Sequence, residues 1–308
     1  MNKKKILYVG GYGRSGSTLL CAVLGRSDQT VPVGELKAIF AHYKQGRKCS
    51  CGENLEGCKF WSEVIQDFLE ENKDISLEEA NRVTETIESY SNCLMLRYRN
   101  TEIEKRYQRI WQSMIDIVCE KSGCNYIVDA SKSSSIACNR VAALTNIVDV
   151  EHIHLVRDPR SVVASMLSAQ ERRLQKHGIR PVAFLDLRTT ISWSMTNIYI
   201  HMLSLLGLKK VQVRVSYEEF TKSPKKTMVL VGEAVDIDFS QVIENIEQSI
   251  PIDAGHIFSG DLQRIKGEYQ ISAFPPKWRN QLNSFQHCVV WLTYPIARCY
   301  GFLKIFSR

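Results

Sequence analysis

A glycine-rich segment near the start of the chain has residues and spacing suited to phosphate binding. Residues 11–18 read GYGRSGST, after a short apolar run and before the pattern of a buried helix. Backbone N–H groups of such a loop, aided by the helix N-terminus, bind phosphate oxygens. The glycine spacing matches the nucleoside-triphosphate loop G-x-x-x-x-G-K-[ST], but Ser17 occupies the lysine position and the cation stands at Arg14. The lysine that reaches a β- or γ-phosphate is therefore missing, and the associated Mg²⁺ chemistry with it. A glycine–serine turn without a ligand is the alternative.

Two signatures resemble those of sulfotransferases that use 3′-phosphoadenosine 5′-phosphosulfate (PAPS). The family's 5′-phosphosulfate loop reads [KR]-S-G-[ST]-[ST], and this chain matches it at every position with Arg14, Ser15, Gly16, Ser17 and Thr18. The arginine form is typical of the carbohydrate and tyrosyl-protein branches. The second signature, an arginine at a strand end and a serine eight residues later, is met by Arg157 and Ser165. The resemblance covers most of the chain and implies that PAPS is the co-substrate and that these residues bind it.

The chemistry of Arg157 and Ser165 agrees with this assignment. A guanidinium fork beside a hydroxyl at a helix start suits the dianionic 3′-phosphate that distinguishes PAPS from ATP. The alternative for Arg157 is a surface ion pair with Asp158 near a helix cap.

Glu35 is the predicted general base. It lies beyond the first predicted helix, where the chain returns to the sheet. Sulfuryl transfer to a hydroxyl is assisted by a group that takes the acceptor proton during in-line attack. The resemblance implies that a glutamate at this distance from the loop has that role. The alternative is a glutamate interacting with a helix dipole. His256 is the next candidate for the base.

Lys132 and Arg14 are predicted to stabilise the negative charge that develops in the transition state. Lys132 follows the strand predicted over residues 126–128. Similar bacterial sulfotransferases carry Asp-Ser-Ser-Lys here, and this chain has Ala130 at the first serine but retains the lysine. A solvated loop lysine is the alternative.

Three further residues are assigned to the donor by resemblance. Tyr217 ends a predicted strand in a stretch similar to the family's Tyr-Glu-Asp, in which the tyrosine contacts adenine. Packing at a helix start is the alternative for Tyr217. Arg264 and the weaker candidate Lys266 fall in a segment that resembles the late basic loop closing over the 3′-phosphate.

Three closely spaced cysteines, Cys49, Cys51 and Cys58, are a separate feature. With His42 nearby they could hold Zn²⁺, although the Cys-x-Cys spacing is atypical of zinc sites. The favoured interpretation is a packed loop with free thiols or a labile disulfide. Its role stays open, and the prediction is that no metal is required for activity.

Strand and helix signals alternate along the chain. Strands are predicted over residues 5–9, 126–128, 152–156 and 211–215, each followed by a helix signal. This alternation predicts an α/β fold with a P-loop-like parallel sheet flanked by helices. Roughly residues 60–122 are predicted to be a helical insertion in a single sulfotransferase domain over residues 1–308. The predicted site residues then fall at the carboxyl ends of the strands, where ligands bind such sheets.

Composition limits the partners and the location. The chain has 308 residues, 44% of them apolar, and a formal charge of +7 without dense basic runs. This charge favours a small polyanion or acidic substrate and disfavours nucleic acid. The apolar run after MNKKK is too short for a signal peptide, and the longest apolar stretch, residues 288–297, falls below the roughly 18 residues of a membrane span. A cytoplasmic bacterial enzyme without an integral membrane segment is expected.

Two alternatives to a sulfotransferase remain at this stage. The glycine spacing permits a P-loop kinase or NTPase, although Ser17 and the 3′-phosphate signature argue against it. A catalytically silent nucleotide-binding module is the other alternative. The acceptor is expected to be a carbohydrate or another small metabolite, because the arginine-type loop and Glu35 resemble the carbohydrate branch. The oligomeric state and the position sulfated are not determined by the sequence.

Overall fold

A computed structural model of the protein describes residues 4–88, 101–132, 138–205, 210–260, 267–271 and 278–302. Five of its strands form one parallel sheet in the order β2-β3-β1-β4-β5. Two short antiparallel strands, β6 and β7, pair separately. The strands are β1 (Lys5–Gly10), β2 (Thr30–Gly34), β3 (Tyr126–Asp129), β4 (Asp149–Val156), β5 (Val211–Ser216), β6 (Ile252–Asp253) and β7 (Glu268–Tyr269).

Helices connect the strands and cover the sheet. They are α1 (Ser17–Leu24), α2 (Ile39–Lys44), α3 (Lys59–Glu71), α4 (Leu77–Ile87), α5 (Glu102–Ser122), α6 (Cys138–Leu144), α7 (Pro159–His177), α8 (Leu185–Leu205), α9 (Tyr217–Lys222), α10 (Pro224–Val235), α11 (Ser240–Glu247), α12 (Trp278–Gln281), α13 (Ser284–Trp291) and α14 (Tyr294–Cys299). Across the described ranges, the search for a helix long and apolar enough to cross a membrane finds none.

Strand β1 explains how the two faces of the sheet are filled. Successive side chains of a strand point to opposite faces. Ile6 and Tyr8 join a buried cluster with helices α3, α4 and α5, whereas Leu7 and Val9 join a second cluster with α1, α10 and α11. The predicted α/β fold with helices on both faces of a parallel sheet is confirmed.

Helix boundaries follow the capping residues that the sequence contains. The Ser76 hydroxyl accepts a hydrogen bond from the Glu79 N–H at the start of α4. Gly123 ends α5 in the left-handed conformation, with a φ of +69°. Pro159 begins α7 behind Asp158, whose carboxylate accepts from the Arg160 N–H. These local signals allow the elements to be located from sequence.

Strand β2 was not predicted from the sequence. It carries Pro32, which has no N–H to donate to a neighbouring strand, and such residues weaken a strand signal. The fold accommodates this proline because β2 lies at one edge of the sheet, where β3 is its neighbouring strand and Phe258 adds an isolated bridge to Gly34.

A buried cluster of charges lies at the carboxyl end of β3. The Arg140 guanidinium donates to Asp129 Oδ2 at 2.9 Å and to Glu88 Oε1 at 2.7 Å, and Lys37 Nζ lies 3.1 Å from Glu88 Oε2. The ring of Trp111 lies 4.1 Å from the guanidinium. Burial lowers the pKa of Arg140, but the two carboxylates outweigh that effect and raise its pKa overall. The network thus joins α4, β3 and α6 through charges that depend on one another.

We expect Arg140→Met to lower the free energy of unfolding by about 3–5 kcal/mol, since it leaves two buried carboxylates without their cation. Arg106→Met is the matched control, because Arg106 is half exposed and pairs with Glu79 at the surface. The control should cost at most about 1 kcal/mol. Denaturant unfolding of both variants measures the difference, and equal losses would contradict a structural role for the buried network.

Candidate active site

A cleft of about 440 Å³ opens at the carboxyl ends of the parallel strands. Its walls come from the loop after β1, the segments after β2 and β3, the first turns after β4 and β5, and the residues around 259 and 270. Most of the residues singled out in the sequence line this cleft: Arg14, Gly16, Ser17, Thr18, Glu35, Lys132, Arg157, Ser165 and Tyr217. Their positions agree with binding at the strand ends, the usual place in such sheets.

The loop between β1 and α1 requires its glycines. Gly11 has a φ of +131° and Gly16 a φ of +90°. A Cβ at Gly11 would lie 2.2 Å from the Leu155 carbonyl oxygen, and a Cβ at Gly16 would lie 2.3 Å from the ring of Tyr217. Any larger residue would therefore push the loop away from β4 or from Tyr217.

Several polar groups around the loop are suited to an anion. The Ser15 and Ser17 hydroxyls and the Nε of Arg157 are buried, and within the described ranges these atoms have no hydrogen-bond partner. Buried polar atoms are normally paired, so these groups are available to donate to a ligand. The serine hydroxyls and the loop N–H groups can donate to a phosphate or sulfate, and the guanidinium adds positive charge, so the residues present fit bound anions.

Arg157 is held toward the loop by neutral groups. Its Nη1 donates to the Arg14 carbonyl at 2.9 Å, and its guanidinium lies 4.2 Å from the ring of Tyr217. Ser165, one of the two residues of the second signature, accepts from Arg14 Nε at 3.0 Å. The structure therefore brings both signatures into one contiguous surface.

The surface ion pair considered for Arg157 is formed by a neighbouring arginine. Asp158 pairs with Arg160, whose Nη2 lies 2.6 Å from Asp158 Oδ2. The Arg160 guanidinium also stacks on Trp278 at 4.0 Å, outside the cleft. The Arg157 side chain does not join this ion pair. It contacts the Arg14 carbonyl and contributes its charge to the cleft.

Glu35 and Lys132 form an ion pair on one wall of the cleft. Lys132 Nζ lies 3.1 Å from Glu35 Oε1, and the Ser259 hydroxyl donates to Glu35 Oε2 at 2.7 Å. The Glu35 side chain makes no hydrogen bond to the short helix that follows it, and the Lys132 side chain is only 11% exposed. Glu35 stands at the N-terminus of that short helix, so the helix-dipole alternative stays open, whereas the low exposure of Lys132 disfavours a solvated side chain.

Ser259 was not singled out in the sequence. It has a φ of +65° and is followed by Gly260, where a Cβ would lie 2.5 Å from the Thr18 hydroxyl. Gly260 therefore packs against the loop between β1 and α1, although it lies 242 residues after Thr18 in the sequence. The resemblance of residues 260–267 to a late loop over the donor implies that this part of the chain approaches the site, but it does not identify Ser259.

Arg173 also lines the cleft. It lies eight residues after Ser165 on α7, which is close to two helical turns. This spacing predicts that both residues lie on the same face of the helix. Together with Arg14, Lys132 and Arg157 it gives the lining four cationic side chains against the one carboxylate of Glu35. Such an excess of positive charge attracts anionic ligands.

Three sequence candidates remain, namely Arg264, Lys266 and His256. Arg264 and Lys266 are outside the described residues, so their assignment stays a prediction. His256, the second choice for a base, does not line the cleft, and its Nδ1 lies 3.3 Å from Cys58 Sγ. Glu218 lies behind Tyr217 and accepts from the Asp158 N–H at 3.1 Å, and burial raises the pKa of its carboxyl.

Comparison with known proteins identifies the class. The family model described as the sulfotransferase family matches residues 7–241. This chain therefore belongs to the sulfotransferase family. Among curated proteins, no sequence is a significant match.

Two solved structures illustrate the shared fold. The sulfotransferase domain from the curacin biosynthetic pathway is 16% identical, with 96% of this chain and 98% of that chain covered and a TM-score of 0.52. Sulfotransferase STF9 from Mycobacterium avium is 12% identical, with 100% and 78% covered and a TM-score of 0.51. At these identities the similarity concerns the fold alone.

Proposed function

We propose that this chain, as a single domain over residues 1–308, transfers a sulfuryl group from PAPS to a hydroxyl of a carbohydrate or another small metabolite. The observation that carries the proposal is the convergence of three cations and one carboxylate, Arg14, Lys132, Arg157 and Glu35, in a cleft of about 440 Å³. This volume falls within the roughly 300–1,000 Å³ of small-molecule sites.

The donor phosphates are assigned to the loop and to the start of α7. The loop N–H groups and the Ser15 and Ser17 hydroxyls would bind the 5′-phosphosulfate. Arg157 and Ser165 would bind the 3′-phosphate, where the unpartnered Nε of Arg157 gains an acceptor. Tyr217, already packed against Arg157, would offer its ring to adenine.

Transfer needs a proton acceptor and stabilisation of the departing charge. When bound, PAPS supplies the sulfuryl group and a phosphate as the leaving group. Glu35 would take the acceptor proton as the acceptor oxygen forms its bond to sulfur. Lys132 and Arg14 would stabilise the charge that grows on the leaving oxygen as the older bond to sulfur breaks. The Ser259 hydroxyl orients Glu35 through its 2.7 Å contact with Oε2.

We expect transfer of label from ³⁵S-PAPS to at least one member of a panel of glycolipids, polysaccharides and phenols, at the same rate before and after Mg²⁺ is dialysed away. The loop has Ser17 in place of the lysine used with Mg²⁺-bound triphosphates, so no step requires Mg²⁺.

Thermal unfolding with nucleotides separates the alternatives. Adenosine 3′,5′-bisphosphate (PAP) at 100 times its Kd should stabilise the fold by about 2.7 kcal/mol, whereas ATP with Mg²⁺ should not. Stabilisation by ATP and Mg²⁺ alone would favour a kinase. Stabilisation by PAP without transfer to any acceptor would favour a silent nucleotide-binding module.

Removal of the Arg157 guanidinium should weaken PAP binding without loss of the fold. We expect Arg157→Ala to cost about 2–4 kcal/mol, a factor of roughly 30 to 1,000 in Kd. Arg160→Ala is the matched control, because Arg160 follows the same strand but contacts Asp158 and Trp278 instead. Calorimetric titration with PAP measures both variants. An unchanged Kd in Arg157→Ala would contradict the assignment of Arg157 to the 3′-phosphate.

Glu35→Gln should bind PAP and fold normally but lose roughly 10²–10⁴ in kcat, the usual contribution of a positioned general base. The amide keeps the size of the side chain and can still accept from Ser259, but it cannot accept a proton. Initial rates of transfer from ³⁵S-PAPS and calorimetric titration with PAP measure the two properties.

Lys132→Ala provides the contrast to Glu35→Gln. Loss of charge stabilisation should lower kcat although Glu35 is still present to take the acceptor proton. Full activity of Glu35→Gln would show that another group is the base, whereas the phosphate assignments would be unaffected.

A further inference from the structure

Four side chains with metal-binding atoms meet outside the cleft. Cys49, Cys51, Cys58 and His256 each offer one such atom, and these atoms all lie within 4.8 Å of one another. His256 Nδ1 lies 3.3 Å from Cys58 Sγ and 3.8 Å from Cys49 Sγ. The histidine comes from a segment about 200 residues beyond the cysteines, so the fold assembles the group.

The spacing matches a tetrahedral zinc site. With Zn–S bonds of about 2.3 Å and Zn–N bonds of about 2.0 Å, ligand atoms lie roughly 3.5–3.8 Å apart. The two sulfur–nitrogen distances fall at or near this range. A disulfide would use two sulfur atoms and would not explain the position of the third sulfur and of the imidazole.

Backbone contacts hold the four ligands in place. Cys49 forms an antiparallel bridge with Phe258, and the Ser50 N–H donates to the Ile257 carbonyl at 2.9 Å. Gly52, with a φ of +96°, allows the chain to turn directly after Cys51.

Aromatic residues of α3 position the histidine. The His256 ring stacks on Phe60 with centroids 5.2 Å apart and an interplanar angle of 11°. The Trp61 indole N–H donates to the His256 carbonyl at 2.7 Å. The ligand geometry is therefore built by the surrounding structure, as expected of a metal site with an ordered outer shell.

We propose that Cys49, Cys51, Cys58 and His256 bind one Zn²⁺ ion as a structural site. Sulfur and imidazole ligands select zinc over Mg²⁺ or Ca²⁺, and four protein ligands leave no open position for a substrate. His42, the nitrogen ligand considered from the sequence, packs edge-on against the ring of Phe258 instead.

A metal at this site would also affect the cleft. This part of the inference rests on the proposed function. Phe258 forms a bridge with Gly34, and the next residue, Ser259, donates to the Glu35 carboxylate. A metal bound to His256 would fix this segment two residues before Phe258. The metal would thereby position the partner of the proposed base without taking part in transfer.

The test begins with the full-length protein purified in reducing buffer without chelators. Elemental analysis should find about one zinc ion per chain. Exchange for Co²⁺ should give the d–d bands of tetrahedral cobalt together with a thiolate-to-cobalt charge-transfer band. These measurements need neither donor nor acceptor, so their outcome is independent of the sulfotransferase assay.

Substitution of the exposed ligand separates binding from folding. Cys51→Ser should lower zinc affinity more than about 100-fold, beyond the loss usual for outer-shell residues. Cys51→His should restore binding, since it returns a fourth ligand. Cys288→Ser is the matched control, because Cys288 is also an exposed free thiol but lies outside the cluster.

Three results would overturn the proposal. The first is wild-type protein that takes up neither Zn²⁺ nor Co²⁺ under reducing conditions. The second is an equal metal content in Cys51→Ser and wild type. The third is a Cys49–Cys58 disulfide found by mass spectrometry in protein purified with reductant.

Discussion

The buried guanidinium of Arg140 fixes the two chain segments that carry the proposed base and its cationic partner. It binds Asp129 at the end of β3 and Glu88 after α4, and Glu88 in turn binds Lys37. The Lys37 N–H donates to the Ser131 hydroxyl, so the segment after β2 is tied to the segment before Lys132. Because Arg140, Asp129 and Glu88 are buried, removal of any one of these three leaves another without compensation. The 3.1 Å separation between Glu35 and Lys132 depends on this support.

On the opposite side of the cleft, positive charge is held by neutral groups. The described contacts of Arg157 are to a carbonyl oxygen and an aromatic ring. Such contacts orient the guanidinium without a direct ion pair, and the nearby Glu218 carboxylate interacts with it electrostatically. An anion entering the cleft would therefore meet charge that is already oriented, at little cost in rearrangement. The lining separates into a part that carries oriented positive charge and a part that holds the carboxylate of Glu35, the proposed base.

The sequence predicts what depends on neighbouring residues and misses what depends on the topology. The phosphate loop, the caps at Ser76 and Asp158 and four of the parallel strands follow from local patterns, and β2 was missed because of its proline. The inward position of Arg157 was expected only from the resemblance to sulfotransferases. Ser259 and His256 reach Glu35 and Cys58 from 224 and 198 residues away, and such approaches leave no periodic or capping signal.

The proline of β2 also affects how the molecule behaves toward copies of itself. An edge strand offers unpaired backbone groups on which another chain can add a strand. Pro32 removes one N–H from this edge, and its ring packs closely against the backbone of Gly25, where a Cβ would lie 2.4 Å away. The residue that obscured the strand in the sequence thus interrupts the hydrogen-bonding pattern that an incoming strand would need. We expect it to protect the sheet from edge-to-edge aggregation while the rest of the chain folds.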